Sequence, residues 1–181
     1  MVIWLTGMSG SGKTTLCTAM HAVLKPRLQQ LVKLDGDEIR AAFGDDLTHV
    51  ESDRMRQIHR IQRIAKMLAD QGMVVLVAAL YAHPDLLAWN RANLPDYFEI
   101  YLKADIEFLS TRDSKGLYHK AQRGELNNLV GVDIPWNEPR HADLVIDAGR
   151  AKSPDLLALD VLRAIPRIAG VNTADLLQVR A

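Results

Sequence analysis

Eight residues near the start of the 181-residue chain, Gly7-Met8-Ser9-Gly10-Ser11-Gly12-Lys13-Thr14, fit the pattern G-x-x-x-x-G-K-[ST]. Glycines at this spacing let the backbone wrap a phosphate so that successive N–H groups converge on it, and a helix beginning near Lys13 adds its positive dipole end. Lys13 is placed to reach the β- and γ-phosphates. The Thr14 hydroxyl is placed to ligate Mg²⁺, which neutralises charge as a phosphoryl group moves. The chemistry predicted is capture of a nucleoside triphosphate, with Gly7, Ser9, Gly10, Ser11, Gly12, Lys13, Thr14 and Thr15 as its contacts.

A second constellation, Leu34-Asp35-Gly36-Asp37-Glu38-Ile39-Arg40, ends an apolar run and opens a helical one. Asp35 there can take the proton of an attacking hydroxyl or orient the Mg²⁺ shell, and Arg40 can clamp an anionic acceptor. Asp37 reads either as a contact to the acceptor or as a helix cap. Farther on, Ile58, Ile61, Ala65 and Leu68 share one face of a long helix, with Arg56, His59, Arg60, Arg63 and Lys66 opposite. Arg54 projects with the apolar residues at the loop end of that helix, where a guanidinium needs an anion. An acceptor phosphate or sulfate would supply it, or a structural ion pair with Asp45 or Asp46.

These groups need a frame. Val2 to Thr6, Leu31 to Leu34, Met73 to Ala79, Phe98 to Leu102 and Leu144 to Ile146 read as strands, the first and third so uniformly apolar that both faces must be covered. Helices are predicted over Lys13 to Leu24, Asp37 to Phe43, Ser52 to Gln71, Pro84 to Leu94, Asp105 to Thr111 and Ser153 to Ile165. The class is therefore α/β, a three-layer α/β/α sandwich around a five-stranded parallel sheet, with residues 1–181 forming one domain. Arg112 to Pro139, rich in Lys, Arg, Asn and Gly, reads as a mobile lid with a short helix around Tyr118 to Gly124.

Composition excludes several classes. Hydrophobic residues at 48% and charged ones at 24% are globular values, and 22 basic against 22 acidic side chains leave no net field to hold nucleic acid or an anionic membrane. The lone Cys17 forms no internal disulfide, no apolar run is long enough to span a bilayer, and no signal peptide is apparent. A cytoplasmic protein is expected. The histidines show no zinc spacing, so no metal beyond Mg²⁺ is expected. A switch GTPase would carry Asn-Lys-x-Asp and an Asp-x-x-Gly at the end of the third strand, and a motor ATPase an acid after that strand; this chain carries none of these. A small-molecule kinase fits.

The chain resembles the adenylylsulfate kinase family of P-loop kinases, from Val2 to about Ile165. The resemblance rests on Ile3 to Thr14, Leu34 to Arg40, Asp53-Arg54 and Arg112-Asp113-Ser114-Lys115-Gly116-Leu117-Tyr118-His119-Lys120-Ala121. It extends to Gly131-Val132-Asp133-Ile134-Pro135-Trp136-Asn137-Glu138-Pro139 at the tail of the lid. It implies an ATP- and Mg²⁺-dependent kinase of the ribose 3′-hydroxyl of adenosine 5′-phosphosulfate, and a possible homodimer. It implies Lys13 and Asp35 as catalytic residues, Thr14 and Asp35 near the metal, and Asp37, Arg40, Arg54, Gln57, Lys115, Gly116 and Leu117 at the acceptor.

Departures from the family pattern cluster on the acceptor side. His49 and Leu129 stand where the family has two phenylalanines that sandwich adenine, Gln57 where it has Asn, and Leu80-Tyr81-Ala82-His83-Pro84 where it has Ile-Ser-Pro-Tyr-Arg. No Ser or Thr lies between Asp53 and Leu109, so the phosphoserine sometimes assigned to the family cannot form there, and transfer is expected to be direct and in line. The lid and Asp-Gly-Asp segments favour adenosine phosphosulfate. The lost stacking favours another nucleotide, such as cytidine diphosphoramidate, whose kinase resembles a shortened member of the family. A nucleotide-sensing module without turnover and a nucleoside monophosphate or sugar kinase are the remaining alternatives.

Overall fold

A computed structural model describes residues 1–44, 46–113, 115–150 and 152–169. Strands β1 (Val2–Thr6), β2 (Leu31–Asp35), β3 (Val74–Ala78), β4 (Tyr97–Lys103) and β5 (Leu144–Asp147) form one sheet in the order β2-β3-β1-β4-β5. Every neighbouring pair is parallel, with Val2 opposite Val75 on one side and Tyr97 on the other. A parallel sheet needs crossover connections that cover both its faces, which is why β1 is apolar from Val2 to Leu5 and buried throughout, with Thr6 at its end donating to the Leu80 carbonyl.

Helices α1 (Lys13–Leu24) and α7 (Pro154–Ala164) pack on one face around Ile3, Leu5, Met20, Leu76 and Leu162. Helix α3 (Glu51–Asp70), with α4 (Pro84–Asn93), covers the other around Trp4, Ile58, Ile61, Val77 and Leu86. The remaining helices are α2 (Gly36–Ala42), α5 (Ile106–Thr111), α6 (Leu117–Gln122) and α8 (Pro166–Ala169), with a 3₁₀ turn over Ala148–Arg150. The elements expected from sequence lie within a residue or two of these bounds. Helix α8 is additional, a single turn that Pro166 opens after Ile165 has already adopted extended geometry.

The segment from Arg112 to Pro139 differs from expectation in how it is held. Its polarity suggested few core contacts, yet Tyr118, Leu129, Val130 and Ile134 are buried, and Tyr118 and Leu129 join Met8 and Leu109 in a third apolar cluster. Asp133 fastens its tail by accepting from the backbone N–H groups of Asn128 and Leu129. Gly131, at φ 94°, is required there: a Cβ would lie 2.7 Å from Met8 Sδ. The segment is thus packed directly onto the glycine-rich loop.

Candidate active site

The C-terminal ends of β1, β2 and β3 open into a cleft of about 800 Å³, the edge where open α/β sheets take ligands. On its floor lies the loop between β1 and α1. Gly7 is there because its backbone runs against β4: a Cβ would meet the Leu102 carbonyl oxygen at 2.6 Å and Ser11 Oγ at 2.7 Å. The Ser11 hydroxyl is buried without a hydrogen-bond partner in the protein, a polar group poised over a backbone turn that an anion can share. Ser9, Gly10, Gly12, Lys13, Thr14 and Thr15 line the cleft, whereas Gly7 and Ser11 support it from behind.

Lys13 Nζ donates to the Met8 carbonyl at 2.8 Å. Burial lowers its pKa to about 8, against the opposite pull of Asp37 and Asp35. A polyphosphate beside it would raise that value again, so the ammonium is tuned to a strongly anionic ligand.

Beside it, Thr14 Oγ1 donates to Asp35 Oδ2 at 2.7 Å, while Asp35 Oδ1 accepts from the Asp37 N–H at 2.9 Å. The capping role considered for Asp37 therefore belongs to Asp35, which has extended geometry at the end of β2 and stands one residue before α2. Asp37, in the first turn, pairs instead with Lys115 Nζ of the lid at 2.8 Å. A hydroxyl and a carboxylate oxygen in contact are hard oxygen donors of the kind Mg²⁺ takes, and they fit the expected ion. Among the described residues no cluster of three or more His, Cys, Asp or Glu could hold a metal, so those residues offer Mg²⁺ few ligands. That is how Mg²⁺ is usually bound beside phosphates and water.

The opposite wall carries two guanidiniums. Arg40 Nη1 donates to the carbonyls of Leu47 (2.6 Å) and Thr48 (3.1 Å), and Arg54 donates from Nε to His49 O (2.8 Å) and from Nη2 to Asn128 O (2.7 Å). Among the described residues neither has a carboxylate within ion-pair distance. Asp46, one of the two candidates for a structural pair with Arg54, binds Arg60 at 2.7 Å; Asp45 lies outside the described residues. Burial, and secondarily the charge of Arg40, push the Arg54 pKa below its ordinary value. Two adjacent cations satisfied only by carbonyls form a site for an anion.

Lys115 and Leu117 also line the cleft, as do His49, Leu80, Asn127, Asn128 and Leu129. Gly116 caps α6 and is not in the lining. Gln57 is not brought to the cleft surface: it is buried, donates to the Gly36 carbonyl at 3.0 Å and ties α3 to α2. Sequence reasoning missed two framing groups. Asp113 accepts from the N–H groups of Leu117 and His119, nucleating α6, and Tyr118 Oη donates to the Ser9 carbonyl at 2.9 Å. Neither is announced locally: Asp113 lies three residues before the cap position, which Gly116 holds, and the Tyr118 contact spans 109 residues.

Comparison with known proteins accords with this arrangement. The family model for adenylylsulphate kinase matches residues 1–147. The cytidine diphosphoramidate kinase of Campylobacter jejuni is 44% identical over 149 residues, 81% of this chain and 85% of that protein. An adenylyl-sulfate kinase of Prochlorococcus marinus is 40% identical over 151 residues, covering 82% and 75%. The solved structure of the Mycobacterium tuberculosis APS kinase in complex with AMPPNP and APS superposes with a TM-score of 0.81 at 31% identity, over 90% of this chain and 95% of that one. The chain belongs to the adenylylsulphate kinase family and is a P-loop phosphotransferase with an alcohol acceptor.

Proposed function

We propose that the protein transfers the γ-phosphoryl group of ATP to the ribose 3′-hydroxyl of a nucleotide that carries a second anionic group, in one direct in-line step. The observation that carries this reading is the pairing of two walls: Lys13, Thr14 and Asp35 on one, and Arg40 and Arg54, two guanidiniums bonded only to carbonyls, on the other. Backbone N–H groups of the loop from Ser9 to Thr14, other than that of Ser11, and the Lys13 ammonium hold the donor phosphates. Thr14 and Asp35 hold Mg²⁺, which when bound offsets the charge on the phosphoryl oxygens. Asp35 accepts the proton of the attacking hydroxyl, while Arg40 and Arg54 fix the acceptor's anionic end. Lys115 closes over both from the lid.

For the acceptor, the reading favoured is a cytidine nucleotide of the diphosphoramidate kind. Among the described residues the cleft lining holds no phenylalanine or tryptophan, and its one tyrosine, Tyr118, is buried against Met8, Leu109 and Leu129. His49, Leu80 and Leu129 offer a purine less stacking area than two phenylalanines would, a difference of about tenfold or more in affinity. The higher identity to the cytidine diphosphoramidate kinase supports the same choice. Adenosine 5′-phosphosulfate is the second reading, supported by the Lys115-Gly116-Leu117-Tyr118 lid and by the other curated relatives. Acceptor-dependent ADP release with each nucleotide tests both. The expected result is a kcat/KM at least about tenfold higher for cytidine diphosphoramidate. The reverse order establishes the second reading, and no release above the hydrolysis background with either defeats the proposal.

A further inference from the structure

The phosphate loop is held from outside as well as by its own turns. Tyr118 Oη, on lid helix α6, donates to the carbonyl of Ser9 at 2.9 Å, across 109 residues of sequence. The ring beneath that hydroxyl is fully buried and packs with Met8, Leu109 and Leu129. The bond satisfies the hydroxyl of a buried ring, and the partner it takes is a backbone carbonyl of the phosphate loop.

The peptide joining Ser9 to Gly10 is trans and planar, so its C=O and its N–H point in opposite directions. Fixing the Ser9 carbonyl toward α6 therefore fixes the Gly10 N–H toward the other side, and Gly10 lines the cleft. The preceding carbonyl, Met8 O, is likewise committed, to Lys13 Nζ at 2.8 Å and the Ser11 N–H at 3.2 Å. With both oxygens engaged by protein donors, neither the Met8 nor the Ser9 carbonyl is free to face an incoming phosphate, which it would repel.

We infer that Tyr118 is a positioning residue for the phosphoryl donor: its hydroxyl sets the orientation of the Ser9–Gly10 peptide and thereby links docking of the lid helix to the readiness of the phosphate loop. The linkage is reciprocal. A phosphate that accepts from the Gly10 N–H holds the Ser9 carbonyl where Tyr118 can reach it, and so favours the docked lid. The inference rests on the proposed use of this loop for ATP, but not on the identity of the acceptor.

The test is Tyr118→Phe in the full chain, which keeps the ring and removes only the hydroxyl. Calorimetric titration with Mg-ADP, in the absence of any acceptor, is expected to show affinity weakened about 3- to 10-fold, the scale of one hydrogen bond. The melting temperature without nucleotide should change little, since the packed ring stays. A companion variant, Tyr118→Leu, removes ring and hydroxyl together; it should lower the melting temperature as well, which separates packing from positioning. If Tyr118→Phe binds Mg-ADP within twofold of the parent protein, Tyr118 merely fills space and the inference is overturned. If the parent protein itself fails to bind Mg-ADP, it is the donor assignment of the loop that fails, and the two failures are thereby distinguished.

Discussion

The two walls of the cleft are built by different means. The donor wall is nearly continuous in sequence, Gly7 to Thr15, and its shape is enforced by backbone geometry and by the close approach of Gly7 to β4. The acceptor wall is gathered from α2, the 46–50 loop, α3 and the lid, and guanidinium–carbonyl bonds hold it together: Arg40 to Leu47 and Thr48, Arg54 to His49 and Asn128. A wall made of one rigid turn suits a ligand common to many kinases. One assembled from loops by long side chains can change its occupant through a few substitutions. On the function proposed, the difference puts donor recognition in the fold and acceptor choice in the loops.

The sharpest way to break the comparison is on the donor side. Lys13→Ala should reduce kcat by about a thousandfold and weaken ADP, because it removes a charge aimed at the transferring group. Arg54→Ala should lower kcat/KM for the acceptor by about a hundredfold while leaving ADP affinity within twofold. Loss of both affinities together would mean that Arg54 holds the lid rather than the acceptor.

Lys13 also makes the donor wall sensitive to pH. Its pKa near 8 in the free protein means that binding, which requires the ammonium, must take up a proton above that pH. ADP affinity should fall by up to about tenfold per pH unit between pH 8 and 10, and calorimetry in buffers of different ionisation enthalpy should register the proton. A flat profile across that range would separate Lys13 from the phosphates.

Smaller effects sharpen the contrast. Gly131→Ala sets a Cβ against Met8 at a positive φ and should cost about 1–3 kcal/mol of stability, seen as a lower melting temperature. Gln57→Ala should change acceptor KM by no more than about threefold, since its amide serves the α2–α3 contact and its loss costs about one hydrogen bond. A larger rise in KM would return Gln57 to the acceptor site.

The same division explains what could be read from sequence. The strand, glycine turn and helix of the donor wall are contiguous, so pattern and structure coincide almost residue for residue. Asp35 was legible too, though its dual role was not: it caps α2 and binds Thr14, and only the end of β2 places its two oxygens at once. On the acceptor side, Arg40 stood out as a cation in the helix that follows Asp35 and Arg54 as a cation on an apolar helix face, whereas the carbonyls that hold them come from two loops with no periodic signal. The composition of the segment concealed its anchors, since a few buried residues among many polar ones suffice when one of them, Tyr118, reaches the phosphate loop.

The central claim concerns which oxygen receives the phosphoryl group. A phosphorus–proton correlation spectrum of the product formed from Mg-ATP and the preferred nucleotide tests it directly. The account predicts a new phosphomonoester coupled to the ribose H3′ proton. A new phosphorus resonance coupled to another phosphorus, marking transfer to the acceptor's anionic end, would contradict it.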